Sequence, residues 1–181
     1  MARAYLALGS NLGDRRERMR AALGALEGAG VHVLRASSLY ESAPMYVLDQ
    51  PAFLNAVVEA ETDLTPEDLL AAAKAVEREL GRQTRERNGP REIDIDLLLY
   101  ANERRGSSEL TLPHPRIQER PFVTLPLAEL GMPVAATAGA APAATSQRTA
   151  GMAAMPGLRI VDSPAWAGDL VSDRRHAPVE P

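Results

Sequence analysis

The chain has 181 residues, a formal net charge of -4 and no cysteine. A chain of this length can fold as one ordinary domain without covalent support, and the lack of cysteine excludes disulfides and thiolate metal sites. Its acidic balance argues against a general nucleic-acid-binding protein, because such domains usually carry a basic surface.

The N-terminal part of the chain alternates between strand and helix patterns. Residues 4–9 predict a short strand, too short for a signal peptide or a membrane span, so we expect a cytoplasmic protein. Asp14 with Glu17 three residues later is typical of a helix start, and an amphipathic pattern follows. Alternating apolar and polar residues predict strand structure over 31–44 and again from Phe53.

A second helix and a further strand follow. Thr65 as N-cap, Pro66 at the first helical position and Asp68 predict the start of this helix, and Gly81 predicts its end. The stretch 91–100 predicts the next strand. The order βαββαβ indicates an α+β fold of the ferredoxin-like type, an antiparallel sheet with the helices packed on one face.

The C-terminal part is less regular. Residues 103–130 include a stretch with four prolines, LTLPHPRIQERPFVTLPLAEL. Beyond Gly131 the chain is rich in Ala, Gly and Pro, with too few large apolar residues to build a core. We therefore predict a domain over 1–130 and a partly flexible extension over 131–181, which returns an edge strand near 158–162.

Two aspartates, Asp94 and Asp96, alternate with isoleucines in the predicted strand 91–100. Residues two apart on a strand share a face, so the aspartates lie opposite Ile93 and Ile95. An amphipathic strand with a solvated face explains this pattern without any site. A pair of carboxylates roughly 7 Å apart also suits Mg²⁺, which binds one or two carboxylates together with phosphate and water.

Arginines crowd the loop before this strand, at Arg82, Arg85, Arg87 and Arg91. Guanidinium groups bind phosphate well, although such a loop can also be a solvated surface segment. Phosphoryl transfer requires metal ions on the phosphates and cations for the transferring group, and the two features adjoin here. No G-x-x-x-x-G-K-[ST] motif is present, so a P-loop enzyme is excluded.

Four blocks carry a specific resemblance. They read LALGSNLGDR, YESAP with DQPAFLNAVV, ELGR with NGPREIDIDLLLY, and LTLPHPR with RPFVTLPL. Together, over residues 4–130, they resemble the 6-hydroxymethyl-7,8-dihydropterin pyrophosphokinases. This resemblance implies a ferredoxin-like fold, ATP as co-substrate and two Mg²⁺ ions. The implied reaction transfers pyrophosphate from ATP to the pterin hydroxymethyl group in folate biosynthesis, giving AMP and the pterin diphosphate.

The resemblance also assigns individual positions. It implies that Asp94 and Asp96 hold the metal ions, and that these aspartates with Arg82 and Arg91 form the catalytic set. The ATP-binding positions it implies are Glu77, Arg82, Arg91, Leu97, Thr111, His114 and Arg120. The pterin-binding positions it implies are Ser42, Ala43, Met45, Phe53, Asn55 and Phe122.

Residue chemistry supports the pterin assignment. Phe53 and Phe122 are the only two phenylalanines of the chain, and both stand where the family stacks the flat ring. Asn55 can present a donor and an acceptor to an amide edge. Two departures concern the loop: Arg85 is displaced from the R-x-R spacing of many members, and Asn88 replaces a Trp. We therefore expect loop closure to differ.

Two other functions compete with this interpretation. A Mg²⁺-dependent phosphohydrolase or nucleotidyltransferase could use the same D-x-D pair without a pterin acceptor. A ferredoxin-like ligand-binding module without enzymatic activity would carry the aspartates only as a polar strand face. Under the leading interpretation we expect a monomer whose partners are ATP and 6-hydroxymethyl-7,8-dihydropterin, with no nucleic acid and no membrane.

Overall fold

The computed structural model describes residues 1–45, 48–82, 89–132 and 157–171. Its elements in chain order are β1 (Ala2–Ser10), α1 (Arg15–Gly28), β2 (Val31–Ala36), β3 (Leu39–Ser42), β4 (Phe53–Thr62), α2 (Pro66–Glu79), β5 (Asp94–Tyr100), β6 (Arg105–Gly106), β7 (Thr111–Leu112), α3 (Pro121–Glu129), β8 (Arg159–Asp162) and a 3-10 helix (Pro164–Leu170). The displaced Arg85 and Asn88, with Arg87, lie outside the described residues.

The main sheet is antiparallel and has β1 near its centre. β1 pairs with β4 along one edge and with β5 along the other, and Gly9 lies opposite Asn55 on β4 and Asp94 on β5. The second edge of β4 pairs with β2 and β3 in succession, and β3 pairs in turn with β8. This order brings the ends of β3, β4, β1 and β5 together at one side of the sheet.

Both predicted helix starts are confirmed. The Asp14 side chain accepts a hydrogen bond from the Glu17 amide at 3.0 Å, and α1 begins at the next residue. The Thr65 hydroxyl accepts from the Asp68 amide at 3.1 Å and donates to the Asp68 carboxylate at 2.7 Å. Because these side chains satisfy free amides of the first turn, they fix where the helices begin.

The predicted single strand over 31–44 is interrupted at Ser37 and Ser38. The Ser37 hydroxyl accepts from the Val57 amide at 3.0 Å, and the Ser38 amide and hydroxyl both donate to Glu129. These side-chain bonds replace the regular ladder, which is how serine competes with strand pairing. The prediction of one strand was therefore wrong, and two strands, β2 and β3, follow one another along β4.

The sheet is covered on both faces: α1 and α2, the two helices of the predicted βαββαβ order, share one core, and the additional helix α3 belongs to a second cluster. Ile93, Ile95 and Leu97 belong to the large core under α1 and α2. A second apolar cluster on the opposite face joins sheet residues to α3, and its members include Tyr5, Val57, Leu98, Val123 and Leu127. The short apolar helix α3 thus covers part of the sheet face on which Asp94 and Asp96 lie.

The C-terminal segment returns to the sheet. β8 pairs with β3 at 159–162, where the sequence analysis expected an edge strand. Trp166 is completely buried in the large core, and its indole N–H donates to the Ser37 carbonyl at 2.8 Å. Residues 157–171 therefore contribute to the core of the fold. Within the described residues, no helix has the length and apolar character needed to cross a bilayer.

Candidate active site

A cleft opens on the α3 side of the sheet, where β1, β4 and β5 meet. Ala7 and Gly9 of β1 form its floor. Because alanine carries only a methyl group and glycine no side chain, they leave space above the sheet. One end is lined by Arg91, Asp94, Asp96 and Arg120, and the other end by Ser42, Ala43, Met45, Gln50, Phe53, Asn55 and Phe122. A charged end and an aromatic end therefore share one cavity.

Asp94 is held by two arginines at the charged end. Arg82 donates to one carboxylate oxygen and Arg91 to the other, each at 2.6 Å. Burial raises the pKa of the Asp94 carboxyl, but the charges of Arg91 and Arg82 outweigh it and hold this pKa below its ordinary value. Asp94 is therefore ionised at neutral pH.

Asp96 has looser partners. A guanidinium nitrogen of Arg120 lies 3.5 Å from one carboxylate oxygen, and the Lys74 ammonium lies 4.0 Å from the other. The side chain is 29% exposed. Asp96 thus keeps coordination capacity that the described residues do not use.

Glu77 anchors α2 to β5 beneath the charged end. Its carboxylate accepts from the Ile95 amide at 2.6 Å and from Lys74 at 2.9 Å, and it also pairs with Arg82. Burial raises the pKa of the Glu77 carboxyl above its ordinary value, against the opposing charge of Lys74. These contacts give Glu77 a structural role in positioning Arg82 beside Asp94.

The donor set fits a divalent cation that brings further ligands of its own. Among the described ranges, no group of three or more His, Asp or Glu side chains could enclose a metal ion. Asp94 and Asp96 offer two carboxylates on one strand face, and Mg²⁺ is commonly held by one or two carboxylates with phosphates and water. The residues therefore suit a metal ion delivered with a polyphosphate.

The aromatic end is built around Asn55. Its amide nitrogen donates to the Ser42 hydroxyl at 2.9 Å and to the Tyr40 carbonyl at 3.3 Å, so the side chain is fixed between β4 and β3. Phe53 and Phe122 line the same region, each partly exposed. Asn55 and Ser42 are themselves buried, at 6% and 2% exposure. The arrangement provides apolar faces for a planar ring and fixed polar groups for its edge.

Arg120 joins the two ends of the cleft. Its guanidinium lies 6.0 Å from the centre of the Phe122 ring, within the range of a cation–π contact, while it also approaches Asp96. Arg120 immediately precedes α3, whose second residue is Phe122. The start of α3 therefore supplies both a cation for the charged end and an aromatic wall.

Five residues predicted to contact ATP lie outside this cleft lining: Glu77 and Arg82, described above, and Leu97, Thr111 and His114. Leu97 is 2% exposed and packs in the large core under the helices, so its place near the nucleotide stays a prediction. Thr111 is exposed on β7. His114 lies near Asp96, and burial lowers the pKa of its imidazole against the opposing charge of that carboxylate.

Sequence reasoning missed three polar residues of this region. Gln50 lines the cleft, and Asn11 donates to Gln50 at 3.0 Å while accepting from the Arg91 amide at 2.8 Å. Lys74 reaches the charged end from α2. The i, i+3 spacing of Lys74 and Glu77 on one helix was a usable signal. The contacts of Asn11 span 39 and 80 residues, so no local pattern reveals them.

Relatives of known name match most of the chain. Residues 5–132 match the family described as 7,8-dihydro-6-hydroxymethylpterin-pyrophosphokinase (HPPK). The chain is 51% identical over 125 residues to the folate synthesis bifunctional protein, mitochondrial, of Pisum sativum, covering 69% of this chain and 24% of that protein. It is 47% identical over 128 residues to the 2-amino-4-hydroxy-6-hydroxymethyldihydropteridine pyrophosphokinase of Bacillus subtilis, covering 70% and 77%.

A solved structure has the same fold at low identity. The Plasmodium falciparum HPPK-DHPS wild type with pteroate aligns with a TM-score of 0.57 and 16% identity, over 71% of this chain and 40% of that one. The chain spans about a quarter of the length of the bifunctional plant relatives. Since the family match covers far more than half of the chain, the chain belongs to the 7,8-dihydro-6-hydroxymethylpterin-pyrophosphokinase (HPPK) family.

Proposed function

We propose that the chain transfers pyrophosphate from ATP to the hydroxymethyl group of 6-hydroxymethyl-7,8-dihydropterin, giving AMP and the pterin diphosphate, within folate biosynthesis. The observation that carries this proposal is the single cleft that joins Asp94 and Asp96 to the aromatic end with Phe53, Asn55 and Phe122. Relatives named as the pyrophosphokinase, such as the Bacillus subtilis protein, support the assignment.

The aromatic end would bind the pterin. Its ring would lie against Phe53 and Phe122, and Met45 would cover one side of it. Asn55, held by Ser42, would read the amide edge, together with the backbone at Ala43. Because Asn55 is already fixed by two hydrogen bonds, little side-chain freedom is lost on binding. The pterin hydroxyl would then point toward the charged end.

The charged end would bind ATP with Mg²⁺, and we propose two ions held through Asp94 and Asp96. When bound, the metal ions neutralise the phosphates and polarise the transferring group. Asp94 would then give up part of its contact with Arg82 and Arg91, and these guanidinium groups would turn to phosphate oxygens. Arg120 and His114 lie beside Asp96 and would contact the phosphates from the α3 side.

The reaction needs no covalent intermediate on the protein. The pterin hydroxyl would release its proton to solvent, and its oxygen would form a bond to the β-phosphorus of ATP. The bond from that phosphorus to the oxygen shared with the α-phosphate would break, and AMP would leave with that oxygen. The residues would contribute by aligning the two substrates and by stabilising negative charge on the transferring group. Glu77 would act indirectly, by holding Arg82 in place.

We further propose a ferredoxin-like βαββαβ core, with the catalytic residues within 1–130 and an extension over 131–181. The strand order β5-β1-β4, with β2 and β3 on the outer edge of β4, supports this arrangement. Leu97 and Thr111, which are proposed to lie near the nucleotide, are outside the cleft lining. A monomer in the cytoplasm with small-molecule substrates only remains our expectation.

One coupled assay tests the function. AMP formation from ATP and Mg²⁺ is measured with and without 6-hydroxymethyl-7,8-dihydropterin. We expect AMP only when the pterin is present. Phosphate release without the pterin would indicate a hydrolase. If a separate binding measurement shows no metal-dependent binding of ATP, the chain is a binding module without activity.

A further inference from the structure

The strand that carries Ser42 is short and is held along both edges. β3 has three paired positions on β4, which place Tyr40, Glu41 and Ser42 opposite 53–55. Its other edge pairs with β8, where Glu41 lies opposite Arg159. Since a strand with so few pairs is weakly fixed by β4 alone, the position of Ser42 at the cleft depends on what holds the second edge.

Glu41 is the point at which three elements meet. One oxygen of its carboxylate accepts from Arg15 of α1 at 2.9 Å, and the other accepts from Arg159 of β8 at 2.6 Å. Arg15 also donates to the Ala52 carbonyl at 2.8 Å, just before Phe53. Glu41 is 17% exposed, so these contacts are partly shielded from solvent. The residue before Ser42 is thereby fixed on both sides.

The C-terminal segment also approaches the cleft lining directly. A Cβ atom placed on Gly157 would lie 3.7 Å from the Cβ of Ala43, which is ordinary van der Waals contact. Further along, the segment is anchored by Trp166, whose carbonyl accepts from Arg20 of α1 at 2.8 Å. The segment 157–171 is therefore tied to the core at one end and lies beside the cleft wall at the other.

We infer that Arg159 is a positioning residue for the pterin end of the cleft: through Glu41 it holds β3 so that Ser42 and Ala43 stand where the pterin edge is read. This inference rests on the proposed function. Arg159 lies beyond residues 5–132, which carry the family match, so this contact is a feature added by the C-terminal segment of this chain.

Two substitutions of Arg159 and one matched control test the inference. Arg159→Met removes the ion pair, and Arg159→Glu sets a second carboxylate against Glu41. Arg16→Met is the control, because Arg16 pairs with Asp162 at 3.0 Å on the same strand β8 but three positions away from the Glu41 pair. The readouts are the KM values for pterin and ATP, kcat, the unfolding temperature, and amide hydrogen exchange over 39–42.

We expect Arg159→Met to raise the KM for the pterin about twofold to fivefold, as suits an exposed ion pair, and Arg159→Glu to raise it further. The KM for ATP and the unfolding temperature stay near their wild-type values, and exchange over 39–42 becomes faster. Arg16→Met leaves both KM values unchanged.

Two kinetic results would overturn the inference. One is that Arg159→Glu leaves the KM for the pterin unchanged. The other is that the KM values for pterin and ATP both rise, and rise equally in the Arg159 and Arg16 variants, which would indicate a general loosening of β8. The exchange experiment needs no substrate, so unchanged exchange over 39–42 overturns the role of Arg159 independently. Wild-type protein that forms no pterin-dependent AMP would overturn the proposed function alone.

Discussion

We predict that Asp94 contributes more than Asp96 to the free energy of unfolding, and that loss of either carboxylate impairs pyrophosphate transfer. Asp94 accepts from Arg82 and Arg91 at 2.6 Å each and is 21% exposed. Within the described part of the chain, Asp96 has a 3.5 Å contact with Arg120 and a 4.0 Å approach by Lys74. The isosteric substitutions Asp94→Asn and Asp96→Asn remove the charge at each position without changing the shape of the side chain.

The magnitudes follow from these contacts. Hydrogen bonds to charged groups contribute about 1.5–3 kcal/mol each when shielded, so partial exposure leaves roughly 1–3 kcal/mol for Asp94→Asn in the free energy of unfolding. For a chain of this size that lowers the unfolding temperature by roughly 3–10 °C. Asp96→Asn should cost about 0–1 kcal/mol. Loss of either metal-binding carboxylate should lower kcat/KM by about 100-fold or more.

Thermal unfolding and pterin-dependent AMP release measure the two effects separately. Wild-type protein and both variants are compared at saturating Mg²⁺ and matched substrate concentrations. The reasoning about the metal site is wrong if Asp96→Asn keeps more than about a tenth of the wild-type activity. The reasoning about Asp94 is wrong if Asp94→Asn unfolds at the wild-type temperature.

Three further outcomes are expected. Phe122→Ala should raise the pterin KM by about tenfold or more with a smaller effect on the ATP KM, because an aromatic wall of the cleft is lost; steady-state kinetics would show it. Trp166→Ala should lower the free energy of unfolding by about 3–5 kcal/mol in denaturant titrations, since this side chain is fully buried. Hydrogen bonds from Arg159 and Arg15 hold the pKa of Glu41 below its ordinary value of 4.5. The stabilisation by Glu41 is therefore present above that pH and is lost as the pH falls through the lower folded-state pKa. Glu41→Gln should therefore unfold more easily than wild type at pH 7, and the difference in unfolding temperature should shrink below pH 4.

Local sequence signals predicted the starts of α1 and α2. Capping at Asp14 and at Thr65 depends on side chains within three residues of the amides they satisfy, so sequence alone contains the whole interaction. The break at Ser37 could not be predicted in this way. It depends on Val57 and Glu129, which are distant in sequence, and the flanking residues keep the alternation of a continuous strand.

The helix α3 was missed because its composition argues against it. Pro121 suits the first helical position, but Pro126 lies inside the helix and removes a donor. The helix persists because Val123 and Leu127 are buried against the sheet, and because Glu129 accepts from Ser38 and from the Tyr40 hydroxyl. Tertiary packing thus overrides a local breaker.

The site was predicted in part. Side-chain alternation along β5 was enough to separate Asp94 and Asp96 from the isoleucines, since it depends on strand geometry alone. The pairing of Gly9 with both Asn55 and Asp94 was beyond prediction, because it depends on the register of three strands. That register brings Asn55, at one end of the cleft, and Asp94, at the other, to the same stretch of β1.

The apparent conflict of two like charges on one strand is resolved by the cations around them. Arg82 and Arg91 hold Asp94, while Arg120 and Lys74 approach Asp96. In the free protein these cations compensate the carboxylates. Under the proposed function, a bound metal ion would take over that compensation and free the same cations to contact the phosphates. Lys74 and Arg82 also pair with Glu77, so four cations face three carboxylates, and the remaining positive charge favours a polyphosphate ligand over a bare metal ion.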